Sequence, residues 1–254
     1  MKSIINKIAL FLSLFMLVFA TLPAQRLPND PVYSLSQFNG SFKWMKSLIT
    51  YNPEEIEGSA YGFGHWPKGK VFMIDSLRYG DYPINIDLAE SEVHIQEPYR
   101  GYMILITDVV DKFTFYDSSE NRVRIFQKIS NSEVPLSPYN PRMNRDRFHE
   151  ILVDGPLKLL KLREKKLAPK DEMTTYANMR MNDEFIERTT YFLQMESGEI
   201  HKLRLSGSAL GKLLPQVKKK IKAYQQEANL YLGDEAGMVR MIHVLNQYWG
   251  EISE

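Results

Sequence analysis

The chain has 254 residues, of which 44% are hydrophobic and 25% are charged. This balance is typical of one or two folded globular domains and excludes a disordered, collagenous or coiled-coil protein. The chain contains no cysteine, which excludes disulfides, thiolate nucleophiles and cysteine zinc sites. We predict no cofactor.

The first 24 residues have the three-part layout of a secretory signal peptide. Two lysines flank the start, an apolar run covers residues 8–20, and small residues follow. The run has about 13 residues, fewer than the roughly 20 that span a bilayer, so a cleaved leader is favoured over a membrane anchor. We expect a periplasmic or extracellular protein, cleaved after Ala24 or, as the alternative, after Ala20.

Removal of this leader takes away two of the 32 basic residues and leaves 30 against 31 acidic ones. The mature chain is therefore near neutral, whereas nucleic-acid-binding proteins usually carry a basic excess. The one basic run, Lys218 to Lys220 with Lys222, is interpreted as the solvated face of a helix. We predict no nucleic-acid partner and no transmembrane segment after removal of the leader.

Four segments follow from the composition and the hydrophobic pattern. Residues 1–24 are the signal peptide, and residues 25–55 are an extended N-terminal arm with one short helix near residues 42–48. An antiparallel β domain is predicted over residues 56–205, and helices packed on its sheet over residues 206–254.

Apolar residues alternate with polar ones along the first part of the β domain. Residues 84–88 and 93–95 have this pattern, which predicts two strands joined by a turn at residues 89–91. Residues 71–74 and 102–106 are continuous apolar runs, which predict central strands covered on both faces. The pairs Phe113 with Phe115 and Val123 with Ile125 continue the strand series.

Two hairpins are predicted in the second half of the β domain. Gly155 supplies the positive φ of a tight reversal between residues 148–153 and 157–162. A second hairpin joins residues 189–195 to 199–205.

Two long connections interrupt this β series. The loop 131–147 contains three prolines and is excluded as a paired central strand. Residues 164–187 are charged and are predicted to be irregular.

The C-terminal segment has helical periodicity. Pro215 suits the first turn of a helix, and Asp234 suits the N-cap of another. Two apolar stripes recur at intervals of three and four residues and require a partner surface. The stripes consist of Leu214, Val217, Ile221 and Tyr224, and of Met238, Met241, Ile242, Leu245, Tyr248 and Trp249.

Loose apolar patterns around turns occupy residues 56–88, 148–166 and 191–213, followed by the final helices. These patterns resemble those of a family of exported proteins common in Bacteroidota. The resemblance implies export and a strand-then-helix order, with no assigned activity and no catalytic residue to carry over. The loop 131–147 is longer than the family pattern implies. Asp75, Ser76 and Leu77 are similar to the O-glycosylation acceptor of such proteins, with Ser76 as the modified residue.

No catalytic, cofactor-binding or metal-ligating residue is predicted. The five histidines, His65, His94, His149, His201 and His243, include no pair within four residues, so no local zinc pair exists. A site built from His149, His201 and Glu150 is an alternative that requires distant strands to meet. Neither a nucleophile elbow nor a glycine-rich phosphate cradle is present in the sequence.

Tyr61, Phe63 and Trp66 cluster on a glycine-containing loop. Aromatic faces on such a loop can stack on sugar rings or peptide side chains, which makes these residues candidate ligand contacts. The structural alternative, which we favour, is that they plug one end of the sheet.

The predicted fold class is α+β, a mainly antiparallel β meander forming a sandwich or open barrel with two or three C-terminal helices. The leader and the lack of a catalytic constellation predict a non-catalytic envelope protein that binds or scaffolds an envelope protein or glycan. A hydrolase acting on envelope glycans or peptides, and a carrier of an apolar ligand in a β cavity, are the alternatives.

Overall fold

The computed structural model describes residues 45–46, 56–74, 78–97, 101–105, 109–134, 146–168 and 183–249. The predicted signal peptide, most of the predicted arm and the predicted glycosylation site at Ser76 lie outside these residues. Within them, an antiparallel sheet is followed by three helices, so the predicted α+β class is confirmed.

Twelve strands form one sheet in the described part of the chain. They are β1 (Met45–Lys46), β2 (Ile56–Glu57), β3 (Lys68–Met73), β4 (Arg78–Asp87), β5 (Glu92–Glu97), β6 (Gly101–Leu105), β7 (Val110–Asp117), β8 (Arg122–Ser130), β9 (Asp146–Val153), β10 (Lys158–Ala168), β11 (Asp183–Gln194) and β12 (Ile200–Leu203). The spatial order is the open path β1-β6-β5-β4-β3-β7-β8-β9-β10-β11-β12, and β2 pairs parallel with β11.

Strand β4 changes partner midway and so bends the sheet. Its first half pairs with β3, where Lys68 lies opposite Pro83, and its second half pairs with β5, where Ile84 lies opposite Ile95. Side chains of β4 and β5 thereby pack onto those of β7, β8 and β9. The first apolar cluster between these layers consists of Val71, Ile84, Ile86, Leu88, Val93, Ile95, Val110, Phe113, Phe115, Phe126 and Phe148.

Three helices cover the other end of the same sheet face, which we call the inner face. They are α1 (Gly207–Leu213), α2 (Lys218–Glu227), preceded by a 3-10 turn at Pro215–Val217, and α3 (Glu235–Gln247). The predicted N-cap is confirmed, because the Asp234 side chain accepts a hydrogen bond from the Gly237 amide. The helices and strands enclose a second apolar cluster that includes Leu159, Leu193, Leu210, Val217, Ile221, Met238, Met241, Ile242, Leu245 and Trp249.

Both predicted hairpins are confirmed. Gly155 has a φ of 146°, in the region that glycine tolerates, and a side chain there would collide with Asn246. The Asn246 amide holds this turn, since its Oδ1 accepts from the Leu157 N–H at 2.9 Å and its Nδ2 donates to the Leu157 carbonyl at 2.9 Å.

The prediction that residues 164–187 are irregular is wrong at both ends of this segment. Strands β10 and β11 pair from Lys158 opposite Gln194 to Ala168 opposite Glu184. Charged residues continue these strands because the charges pair across them, as Arg163 does with Glu187.

Five local expectations also differ from the structure. Residues 71–73 lie in the central strand β3, but Ile74 is 61% exposed, so the run 71–74 is not covered on both faces. Met45–Lys46, within the predicted short helix, is a strand that pairs with β6, so β6 lies next to the sheet edge and is not central. Strand β9 begins at Asp146, inside the predicted loop 131–147. Tyr248 is 50% exposed because it follows the last turn of α3.

The opposite face of the sheet, which we call the outer face, carries a third apolar cluster. Leu160, Leu162 and Phe192 are buried there under Val134. In the described part of the chain, every helix is too short or too polar to cross a bilayer.

Candidate functional site: a charged band on the inner face

A row of charged side chains separates the two apolar clusters on the inner face. At its centre, the Glu150 carboxylate of β9 accepts from Arg124 Nε at 2.8 Å and from Arg124 Nη2 at 2.6 Å. Arg122 Nη2 donates to the same carboxylate at 3.0 Å. Glu150 is 1% exposed, so this charge is buried and compensated entirely by its two arginines.

Arg124 also connects the band to the first apolar cluster. Its Nη1 donates to Asp117 Oδ2 at 3.3 Å, and its guanidinium lies 5.2 Å from the centre of the Phe63 ring and 5.4 Å from that of Phe126. Cations are attracted to aromatic ring faces at such distances. The arginine therefore bridges ionic partners on one side and aromatic rings on the other.

Asp117 is held as an anion at the end of β7. The hydroxyl of Ser119 donates to its Oδ1 at 2.6 Å, and the amides of Ser119 and Glu120 donate to the same atom. These bonds, led by the hydroxyl and joined by that of Arg124, outweigh burial and lower the pKa of Asp117 to about 2.

The band continues across β10 and β11 to the start of α3. The Glu235 carboxylate accepts from Tyr191 Oη at 2.8 Å and lies 2.7 Å from Lys161 Nζ. Burial alone would raise the pKa of Glu235, but the bonds from Lys161 and Tyr191 outweigh it and lower the pKa. Burial, together with the bond to Glu235, raises the pKa of Tyr191.

The last part of the band is an ion pair between β10 and β11. Arg163 donates through Nε and Nη2 to the two oxygens of Glu187, at 2.7 and 3.0 Å. The hydrogen bonds from Arg163 lower the pKa of Glu187. We define the charged band as Asp117, Arg122, Arg124, Glu150, Lys161, Arg163, Glu187, Tyr191 and Glu235.

The three aromatic residues proposed as ligand contacts lie in two different environments. Phe63 packs against the first cluster, 4.8 Å from Phe115 between ring centres, and covers Arg124. Tyr61 and Trp66 meet each other at 5.2 Å, and the Tyr61 hydroxyl is 3.0 Å from His94 Nδ1. Their role as ligand contacts stays a prediction.

Asn85 and Lys165 fix the loop that carries these aromatics. Asn85 Oδ1 accepts from the Phe63 amide at 3.2 Å, and its Nδ2 donates to the Phe63 carbonyl at 2.9 Å. Lys165 Nζ donates to the carbonyls of Ser59 and Tyr61, each at 2.7 Å. The loop is therefore anchored to β4 and to β10.

The structure does not bring His149, His201 and Glu150 together. His149 and Glu150 are neighbours in β9, so their side chains point to opposite faces. His201 lies on β12 with a side chain 39% exposed, 3.8 Å from Glu199. Among the described residues, no three histidine, aspartate or glutamate side chains are grouped closely enough to hold a metal ion.

His149 is fully buried on the outer face and neutral. Its Nδ1–H donates to the Arg147 carbonyl at 3.0 Å, because a carbonyl can only accept, and its Nε2 faces Asn131 Nδ2 at 3.5 Å. Burial, together with the nearby Arg147 charge, lowers the pKa of His149 to about 4.

The interior of the bent strands is filled with aromatic rings. Phe113 stacks on Phe126 at 4.7 Å and meets Phe148 at 5.5 Å. A separate cavity of about 470 Å³ has Gln127, Lys158, Gln194 and Glu196 among its lining residues, with a few apolar side chains. Within the described residues, neither this aromatic core nor this cavity matches the apolar cavity that a carrier of an apolar ligand would require, and the carrier role stays a prediction.

The arginines of the band were missed by sequence reasoning. In β8, Val123 was expected to continue the apolar series, yet it is 57% exposed and Arg124 points inward. The available signal was the alternation of charges: Arg122 and Arg124 in β8, and Lys161 and Arg163 in β10, are spaced two apart and so share one face.

Comparisons of the chain with models of protein families, with curated proteins and with solved structures find no match.

Proposed function

We propose that the protein is an exported, non-catalytic component of the cell envelope that binds or scaffolds another component through the charged band. The layout of residues 1–24 and the resemblance to exported proteins of Bacteroidota support export. The observation that carries the binding role is the saturation of the carboxylates of the band by cations and hydrogen-bond donors.

Such carboxylates suit recognition better than proton transfer. A general acid needs a carboxyl group that keeps its proton near neutral pH, which requires a raised pKa. The partners of Asp117, Glu187 and Glu235 instead lower the pKa of each. These three carboxylates therefore stay ionised, and their hydrogen bonds fix their orientation on the sheet.

The band also presents both signs of charge toward solvent. The side chains of Arg122 and Glu187 are each 34% exposed, and that of Glu235 is 30% exposed. A partner with matched charges of both signs would gain orientation and a faster association from this pattern. We therefore place the contact with an envelope protein at the exposed edge of the band.

The export half of the proposal is tested by cell fractionation and N-terminal sequencing. We expect the protein in the envelope fraction or the medium, beginning after Ala24 or Ala20. An intact chain in the cytosol that still begins with Met1 would overturn export.

The binding half is tested by cross-linking in intact cells of the source organism, followed by size analysis of detergent extracts. We expect a complex that is lost in the double variant Arg122→Gln and Lys161→Gln. The control, Lys219→Gln and Lys220→Gln, removes the same charge from the exposed surface of α2 and should keep the complex. A lone monomer for the wild-type chain would overturn the binding role.

A further inference from the structure

The outer face of β3, β7 and β8 carries a grid of partly or fully exposed side chains. The strand register aligns Lys70 with Thr114 and Ile125, and Phe72 with Lys112 and Gln127. Lys68, Tyr116 and Val123 form the next row along the same three strands. We call these nine residues the outer grid. Tyr116 is 54% exposed and Val123 is 57% exposed, so this face is open to solvent.

Positive charge is segregated on the outer grid. Its nine residues include three lysines and no acidic residue, on a chain whose total charge is only +1. The ion pairs of the described residues do not involve these lysines. Lys112 instead places its Nζ 4.9 Å from the centre of the Phe72 ring. A surface of one sign favours a ligand of the opposite sign.

The aromatic and polar side chains of the grid indicate what kind of anion fits. The Tyr116 hydroxyl donates to Asn121 Oδ1, which fixes the ring on the sheet. A fixed aromatic ring offers a stacking face for a sugar ring, while Thr114 and Gln127 offer hydrogen-bonding groups to sugar hydroxyls. Alternate residues of a strand are about 7 Å apart, so Lys68 and Lys70 form a repeating pair of cations.

We propose that the outer grid binds an anionic polysaccharide. Lysines would pair with the acid groups of the polymer, and Tyr116 and Phe72 would stack on its rings. A lipid surface fits less well, because an interfacial surface inserts large apolar side chains into the membrane and the grid instead alternates them with polar ones. The outer grid lies on the opposite face from the charged band, and the inference stands whether or not the band binds a partner.

The test is affinity electrophoresis of residues 25–254 through gels that contain polygalacturonate. The matched neutral polymer is fully methyl-esterified polygalacturonate, and phosphatidylglycerol vesicles in a flotation assay probe lipid binding. We expect retardation by the acidic polymer alone, weakening as salt is raised. Lys70→Glu with Lys112→Glu should raise the Kd at least about tenfold, and Tyr116→Ala about tenfold.

The control variant Lys219→Glu with Lys220→Glu makes the same charge change on α2 and should stay within about twofold of wild type. Lys70→Glu alone, at an exposed position, serves where the double variant fails to fold. The proposal is overturned by equal binding to the neutral polymer, by binding to vesicles alone, by no binding at all, or by an equal loss in the α2 control.

Discussion

Glu150 and His149 are neighbours in β9 and are both buried, but one is paired with charged side chains and the other with uncharged groups. Glu150 is 1% exposed on the inner face and forms ion pairs with Arg122 and Arg124. His149 is 0% exposed on the outer face and stays neutral, because burial disfavours its charged form and its neighbours include an uncharged carbonyl, an amide and the Phe192 ring. At equal depth of burial, the partners decide how each side chain is accommodated.

The largest expected effect is that of Glu150→Ala, which removes the anion between the two arginines. Arg124 would then be buried without its main partner, and breaking a buried ion pair in this way costs about 4 kcal/mol. The free energy of unfolding in urea measures the loss. The control Glu199→Ala, at a carboxylate 72% exposed, should change it by no more than about 0.5 kcal/mol. A loss below about 1 kcal/mol for Glu150→Ala would contradict the central role of this pair.

The next effect is the pH dependence caused by His149. Its folded pKa of about 4 lies below the ordinary value of 6.5, so its contribution to stability is complete above pH 6.5 and is lost as the pH falls toward 4. The loss amounts to about 3 kcal/mol, measured as the free energy of unfolding across that window.

The variant His149→Gln should flatten this dependence, whereas His201→Gln, at a half-exposed position, should leave it in place. Asp117 acts in a lower window, because its contribution is present above pH 3.8 and is lost as the pH falls toward 2. An unchanged slope between pH 6.5 and 4 in His149→Gln would show that this imidazole is not held neutral.

A smaller loss is expected for Phe63→Ala, which uncovers Arg124 and opens the end of the first apolar cluster. Phe63 is only partly buried, so we expect about 2 kcal/mol, below the cost of a fully buried phenylalanine. Tyr248→Ala, at a side chain 50% exposed, is the control and should cost no more than about 0.5 kcal/mol. Unchanged stability in Phe63→Ala would favour the ligand-contact role of this loop over the plug.

The smallest expected effect is at Asp234, where two substitutions distinguish the loss of a hydrogen-bond acceptor from the loss of a charge. Asp234 caps α3 by accepting from the Gly237 amide at 2.8 Å, so Asp234→Ala should cost about 1 kcal/mol. Asp234→Asn keeps an acceptor and should cost only about 0.3 kcal/mol, as measured by urea unfolding. A loss in Asp234→Asn equal to that of Asp234→Ala would show that the charge itself is required here, as it is at Glu150.

Sequence patterns predicted the parts of the fold that bury one apolar face. The apolar positions of β4, β5 and α3 each face an apolar cluster, and the turn at Gly155 needs a backbone that glycine provides. The polar face of β4 and β5 was expected to be open to solvent, but Asn85 and His94 are buried there. The pairing of β10 with β11 beyond Leu162 was missed because its charges pair with each other, and such pairing is invisible along a single strand.

The charged band could not be predicted for a related reason. An arginine in a strand ordinarily indicates the solvent face, so Arg122 and Arg124 were not recognised as inward-facing residues. The apolar Val123 between them is the residue that is exposed. Their inward direction depends on Glu150, which is 26 residues away from Arg124 in the chain and meets it only after β8 and β9 pair. The two-residue spacing of the charges shows that they share a face, but it does not show that this face is buried.

Strand β9 belongs to both apolar clusters, with Phe148 in the first and Val153 in the second. These two residues are five positions apart in one hydrogen-bonded strand, which leaves no linker about which the two halves could hinge. Unfolding of either half would remove packing contacts from β9, on which the other half also depends. We therefore expect a single endotherm in scanning calorimetry, with a calorimetric enthalpy equal to the van't Hoff value.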